Sequence, residues 1–142
     1  MQFLIYILVY PFLWIVSILP FRLLYAISDL LYILIFRVFG YRKKVVKENL
    51  RLVFPNKSKE EINLITKKFY HHLCDMMVEA IKSLSISEEE MKSRYKFTNI
   101  EEIHKLEQQN KSIVLMCAHY GSWEWIFILQ KHINHKGYAV YK

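Results

Sequence analysis

The stretch "SIVLMCAHYGSWEW", residues 112–125, decides how this 142-residue chain reads. Ser112–Ala118 is a continuous apolar run of strand length, the pattern of a strand buried on both faces of a parallel sheet. Gly121 and Ser122 break it. "WEWIFILQKHI" (123–133) then reads as a helix with Ser122 as its N-cap, and "GYAVYK" (137–142) as a second strand. Two strands around a helix form a β-α-β unit, which is right-handed. The predicted fold class is therefore α/β. With "RYKFTN" (94–99) as an edge piece, the sheet is too small to be complete, so this part reads as the front of a larger domain truncated at its C-terminus.

His119 falls at the carboxyl end of the first predicted strand, where ligands bind in open α/β sheets. Glu124 follows as about the second residue of the next helix, where the helix dipole favours an ionised carboxylate. A strand-turn-helix brings two such side chains together, which gives their five-residue spacing a mechanical reason. A carboxylate on one ring nitrogen fixes the tautomer and leaves the other nitrogen as a base. No G-x-S-x-G elbow supplies a nucleophile, so the attacking hydroxyl has to come from substrate. That pattern fits transfer of an activated acyl group to an alcohol. H-x4-E alone is a weak signal, and a hydrogen-bonded core histidine is its bland counterpart.

Rival constellations carry less. Cys117 shares a strand face with His119, but a buried structural cysteine outweighs a Cys-His pair acting as a thiol hydrolase. His71, Asp75 and Glu79 lie at i, i+4 and i+8 of a long helix, and a solvated surface outweighs a metal face. His104, His132 and His135 have no evident partners and read as surface residues. With only Cys74 and Cys117 there is neither a disulfide framework nor a zinc spacing, which agrees with a reducing compartment.

Upstream, Met1–Phe21 holds no charged residue, and about 20 apolar residues match a bilayer core. It lacks the basic start and small-residue cleavage site of a signal peptide, so the expectation is a retained transmembrane or deeply inserted helix. The run after Pro20 carries Arg22 and Asp29 on nearly one helical face. It lies along the interface, packs on protein or forms a hairpin hinged at Pro20. Trp14, Tyr25, Tyr32 and Tyr41 are candidate interfacial aromatics. Of the net charge of +7, Arg37, Arg42, Lys43, Lys44 and Lys47 cluster just behind this region. That places the following chain on the cytoplasmic side. An anionic membrane surface is a better partner for the cluster than nucleic acid.

Between anchor and strand lies a helical block. "RKKVVKENLRLVFP" is a short amphipathic helix stopped at Pro55, with Val46, Leu50 and Val53 on one face. Ser58 with Glu61 forms a capping box opening a long helix with Ile62, Ile65, Phe69, Leu73, Met76 and Ala80 inward. Ser87 with Glu90 and Asn99 with Glu102 start two further capped helices. The organisation is thus 1–39 membrane anchor and interfacial helices, 40–94 amphipathic helical block, and 95–142 the first part of the α/β domain.

Two blocks carry a resemblance. "RKKVVKENLRLVFPNKSKEE", with the long helix reaching Glu79, is similar to the N-terminal helical block of the bacterial lipid A biosynthesis (late, lauroyl or myristoyl) acyltransferases. These belong to the lysophospholipid acyltransferase superfamily. "HYGSWEW" resembles their catalytic H-x4-D/E motif; Tyr120 and Ser122 stand where other side chains are common. The resemblance spans the whole chain but about the front half of the family's length. It implies an inner-membrane enzyme facing the cytoplasm, transferring a fatty acyl chain from acyl carrier protein thioester to a hydroxyl of a lipid A precursor. No metal or organic cofactor is implied. His119 would be the general base and Glu124 its orienting carboxylate. Other membrane-lipid acceptors remain open, as does a non-catalytic, membrane-anchored basic module that binds lipid.

Overall fold

The computed structural model describes residues 2–138, and every regular element among them is helical. The expected α/β sheet is therefore corrected: no strand forms among the described residues. Ser112–Ala118 runs without regular structure, and Val114 and Met116 are 85% and 89% exposed. The physical reason is that a strand exists only by pairing, because its N–H and C=O groups need a neighbour's ladder. Of the expected edge piece, residues 94–99, Arg94 ends a helix and Tyr95–Asn99 is irregular. In the expected second strand, Gly137 and Tyr138 are irregular and 139–142 lie outside the described residues. The apolar run thus has the composition of a strand and no partner.

The chain forms two compact units, Met1–Ser85 and Ile86–Lys142. In the first, helix α1 spans Gln2–Ile18, α2 Phe21–Tyr32, α3 Lys43–Val53 and α4 Lys59–Lys82. A π-helical turn, Ile33–Val38, continues α2. Gly40 (φ +60°) and Arg42 (φ +51°) then turn the chain, so that Phe21–Val38 and α3 meet at 93°.

Helix α4 is the organising element. Its capping box forms as expected: Glu61 N–H donates to Ser58 Oγ at 3.1 Å, and Ser58 N–H to Glu61 Oε2 at 2.8 Å. Its buried row is Ile62, Thr66, Tyr70, Cys74, Val78 and Lys82, one every four residues. Since each step advances about 400°, the row winds around the helix and meets α3, α2 and α1 in turn. Thr66 is tolerated there because its hydroxyl donates to the Ile62 carbonyl at 2.7 Å. Tyr70 donates to the Tyr41 carbonyl. Of the residues expected inward, Ile62 is buried, Ile65, Leu73, Met76 and Ala80 are half-buried, and Phe69 is exposed.

Pro20 separates α1 from α2, and the corner between them is fastened by α4. Val16, Leu24 and Val78 form the apolar core of the corner, flanked by Leu19, Ile27, Leu31 and Ile81. Lys82, buried, donates from Nζ to the carbonyls of Ser17 and Leu19, each at 2.9 Å. Asp29 explains itself in the same unit: its Oδ1 lies 2.8 Å from His71 Nε2 on α4. One of the two charges on this helix, with Arg22 the other, is thus paired to α4 at the solvent-exposed edge of the seam.

Beyond its last turns, α1 exposes apolar side chains on all sides, among them Phe3, Leu8, Phe12 and Ile15. Tyr6, Tyr10 and Trp14 stack along one face at ring spacings of 5.2 and 6.4 Å. No single helix among the described residues is long and apolar enough to cross a membrane, although Phe21–Val38 with α3 passes as a bent pair by length and composition.

The second unit holds α5 (Glu88–Arg94), α6 (Ile100–Gln108) and a 3₁₀ helix, Trp123–Lys131. Ser87 caps α5, accepting from Glu90 N–H at 3.2 Å. Asn99 precedes α6 in the left-handed conformation (φ +59°) and makes no side-chain cap, so the expected third box does not form. Trp125, Ile128 and Leu129 are the buried apolar residues among those described in this unit, and Lys131 reaches Glu88 on α5 at 3.0 Å.

Candidate active site

His119 and Glu124 bracket one open turn. Gly121 adopts φ +61°, a conformation natural to glycine, and a Cβ built there would meet nothing within 4 Å. The N–H of Trp123 donates to the Gly121 carbonyl at 2.9 Å in a tight three-residue turn, and the 3₁₀ helix then starts with the Trp125 N–H donating to the Ser122 carbonyl at 3.0 Å, Ser122 in the N-cap position and Glu124 in the first turn.

His119 is exposed, and its ring packs against the indole of Trp123, centroids 4.3 Å apart and planes inclined by 59°. No hydrogen bond or ion pair joins it to Glu124 in this structure. In a 3₁₀ helix, residues three apart share a face. Trp123 therefore aligns with Ile126, and Glu124 with Phe127, on adjacent faces.

The basic cluster spans the end of the π-helical turn, the Gly40 corner and the first turn of α3. Arg37, Arg42 and Lys44 are exposed, and Lys43 and Lys47 half-exposed. Lys43 Nζ sits 4.1 Å over the Phe36 ring, and Lys44 stands 4.0 Å from Glu48. Three lysines in the first two turns oppose the helix dipole, and no acidic residue in the first turn offsets them. The surrounding charge is equally lopsided. Residues 1–85 contain twelve Lys and Arg against six Asp and Glu, whereas 86–142 contain eight against seven.

Two polar clusters escaped the sequence reading. His71, Asp75 and Glu79 face α2 instead of solvent alone. Ser28 Oγ donates to Asp75 Oδ1 at 2.6 Å, Tyr25 OH to Glu79 Oε1 at 2.8 Å, and His71 bridges Asp29 and Asp75. In the second unit Glu107 is a hub. It accepts from the backbone N–H groups of Asn134 (2.7 Å) and His135 (2.6 Å), and lies 2.9 Å from His104 Nδ1. The His135 N–H and then His104 hold its carboxyl down to about 2. These groups line a cavity of about 290 Å³. His104 thus has its partner one turn further along α6, His135 has one that only the tertiary fold supplies, and His132 packs edge-on to Phe97.

Cys117 is exposed, where a strand would bury it, while burial pushes the Cys74 thiol up. Among the described residues no group of three or more His, Cys, Asp or Glu side chains is arranged to hold a metal ion.

Compared with known families, residues 1–142 match the model described as bacterial lipid A biosynthesis acyltransferase. The chain belongs to that family. The match covers the N-terminal apolar helices, the helical block and the His119–Glu124 turn together, so no part of this acyltransferase-family chain falls outside it. Neither the curated proteins nor the solved structures contain a match. Membership assigns the chain to acyl transfer in lipid A biosynthesis, with an acyl donor and a lipid acceptor as the general partners.

Proposed function

We propose that the protein is a membrane-bound O-acyltransferase that uses acyl carrier protein thioester to acylate a hydroxyl of a lipid A precursor. The carrying observation is a family match that includes the "HYGSWEW" turn, with its single histidine and glutamate flanking a glycine of positive φ. In this reading an unprotonated ring nitrogen of His119 takes the acceptor hydroxyl proton. The oxygen attacks the thioester carbonyl, and the tetrahedral intermediate collapses by breaking the C–S bond. The imidazolium returns its proton to the departing thiolate. Glu124 accepts from the other ring nitrogen when substrate closes the turn, fixing the tautomer.

The same proposal places the protein on the cytoplasmic face of the inner membrane. The all-round apolar exposure of α1 supports insertion. The electrostatically costly lysines of α3 support contact with anionic lipid, together with Arg37 and Arg42.

The test is acyl transfer in membranes containing the protein expressed from its full reading frame, with labelled acyl carrier protein thioester and a lipid A precursor. Turnover lost in His119→Ala with membrane association retained is the expected result; turnover retained in that variant overturns the base assignment. A second reading, a basic lipid-binding module without catalysis, draws on the absence of a His119–Glu124 bond. It predicts salt-sensitive vesicle binding and no transfer by the wild type to any acceptor lipid.

A further inference from the structure

His119 needs something to hold its ring. It follows an irregular segment, stands before an open glycine turn, is exposed, and makes no hydrogen bond to Glu124. A general base with a freely rotating ring is a poor one, because a misplacement of about 1 Å can cost about 100-fold in rate. The ring contact it does make is with Trp123.

Trp123, in turn, is well fixed. It begins the 3₁₀ helix, its N–H is bonded to the Gly121 carbonyl, and the helix is anchored by buried Trp125, Ile128 and Leu129. The half-buried indole forms a wall attached to the more ordered side of the turn. Glu124 lies on the adjacent helix face, about 120° around the axis. A ring held against the first face is therefore free to meet a carboxylate swinging in from the second.

We propose that Trp123 is the positioning residue for His119. Its indole fixes the imidazole plane, so that one nitrogen stays aimed at the acceptor hydroxyl and the other stays open to Glu124. This inference rests on the reading of His119 as the base.

The experiment pairs kinetics with a spectroscopic signature in the full-length protein. In Trp123→Ala, kcat is expected to fall about 10- to 100-fold with KM for donor and acceptor unchanged, and Trp123→Phe is expected to retain kcat within about threefold. The ring current of an indole at this distance also displaces the resonances of the carbon-bound ring protons of His119. In ¹³C-histidine-labelled protein, assigned with His119→Gln, those resonances should move toward free-imidazole positions in Trp123→Ala and partly recover in Trp123→Phe. Unchanged kcat in the alanine variant, a rise in KM in place of the fall in kcat, equal losses in both variants, or ring protons that do not move would each overturn the role of Trp123. Turnover retained in His119→Ala sinks the base assignment separately, while the ring-proton shift still reports whether the contact exists.

Discussion

Lys82 Nζ donates to the Ser17 carbonyl at 2.9 Å, across 65 residues, and so ties the end of α4 to the end of α1. The last carbonyls of a helix have no partners within it, and a cation there also complements the dipole. With Leu19 bonded by the same ammonium and Ser85 Oγ donating to Ser17 at 2.7 Å, the corner is satisfied although it is buried. Lys82→Met keeps the volume and removes both charge-assisted bonds. The expected loss is about 1–3 kcal/mol of unfolding free energy, measured by urea titration in detergent. An unchanged midpoint would mean that water satisfies these carbonyls equally well.

The α2–α4 seam yields a contrast in magnitude. Asp29 and His71 are 63% and 50% exposed at the side chain, so their bond is screened and Asp29→Asn should cost about 0.2–1 kcal/mol. Ser28 is fully buried against Asp75, and Ser28→Ala strips a carboxylate of a buried donor, an expected cost of about 1–3 kcal/mol. Equal costs would show that the seam is solvated along its whole length.

Glu107 gives the second unit an acid-sensitive lock. Its folded carboxyl titrates at about 2 against an ordinary 4.5, principally because the His135 N–H donates to it. A depressed carboxylate contributes stability that is full above its unfolded value and is lost as pH falls toward the folded one. Protection of the Asn134 and His135 amides, corrected for intrinsic exchange, should therefore decline between about pH 4.5 and 2. In Glu107→Gln the protection should already be low at neutral pH, with no step across that window.

What was legible in the sequence was local. The Ser58–Glu61 box needs only four residues, and it forms. The buried row of α4 departs from the expected one because it advances by four residues at every step, through Tyr70, Cys74 and Val78, and because hydrophobic spacing cannot see Thr66 or Lys82, whose polar atoms are satisfied by the carbonyls of Ile62 and of Ser17 and Leu19. Asn99 followed by Glu102 has the letters of a capping box, but Asn99 tolerates left-handed backbone and takes that instead. The bonds from Asn134 and His135 to Glu107 are invisible for the same reason as the Tyr25, Ser28 and Asp29 bonds of the seam, since they span 27 to 54 residues, whereas His104 stands one helical turn from Glu107 and that pair is local. The strand Ser112–Ala118 shows the opposite failure. Its composition is correct for a sheet, but pairing is non-local and no described segment supplies a partner.

The lysines of α3 offer a test in which folding and binding should move in opposite directions. Lys43, Lys44 and Lys47 sit where the helix dipole disfavours cations, so replacing all three by glutamine should leave α3 as stable or slightly more so. If they hold the protein to anionic lipid at about 1 kcal/mol each, the same triple variant should bind vesicles containing phosphatidylglycerol about 100-fold more weakly. The loss should be smaller if Lys43 remains engaged with Phe36 and Lys44 with Glu48 in the bound state. Wild-type binding should weaken with salt, and that of the variant should weaken less, because fewer screened contacts are left. Binding that survives both the substitutions and high salt would assign membrane attachment to the apolar surface of α1 and leave the basic cluster for an acidic protein partner.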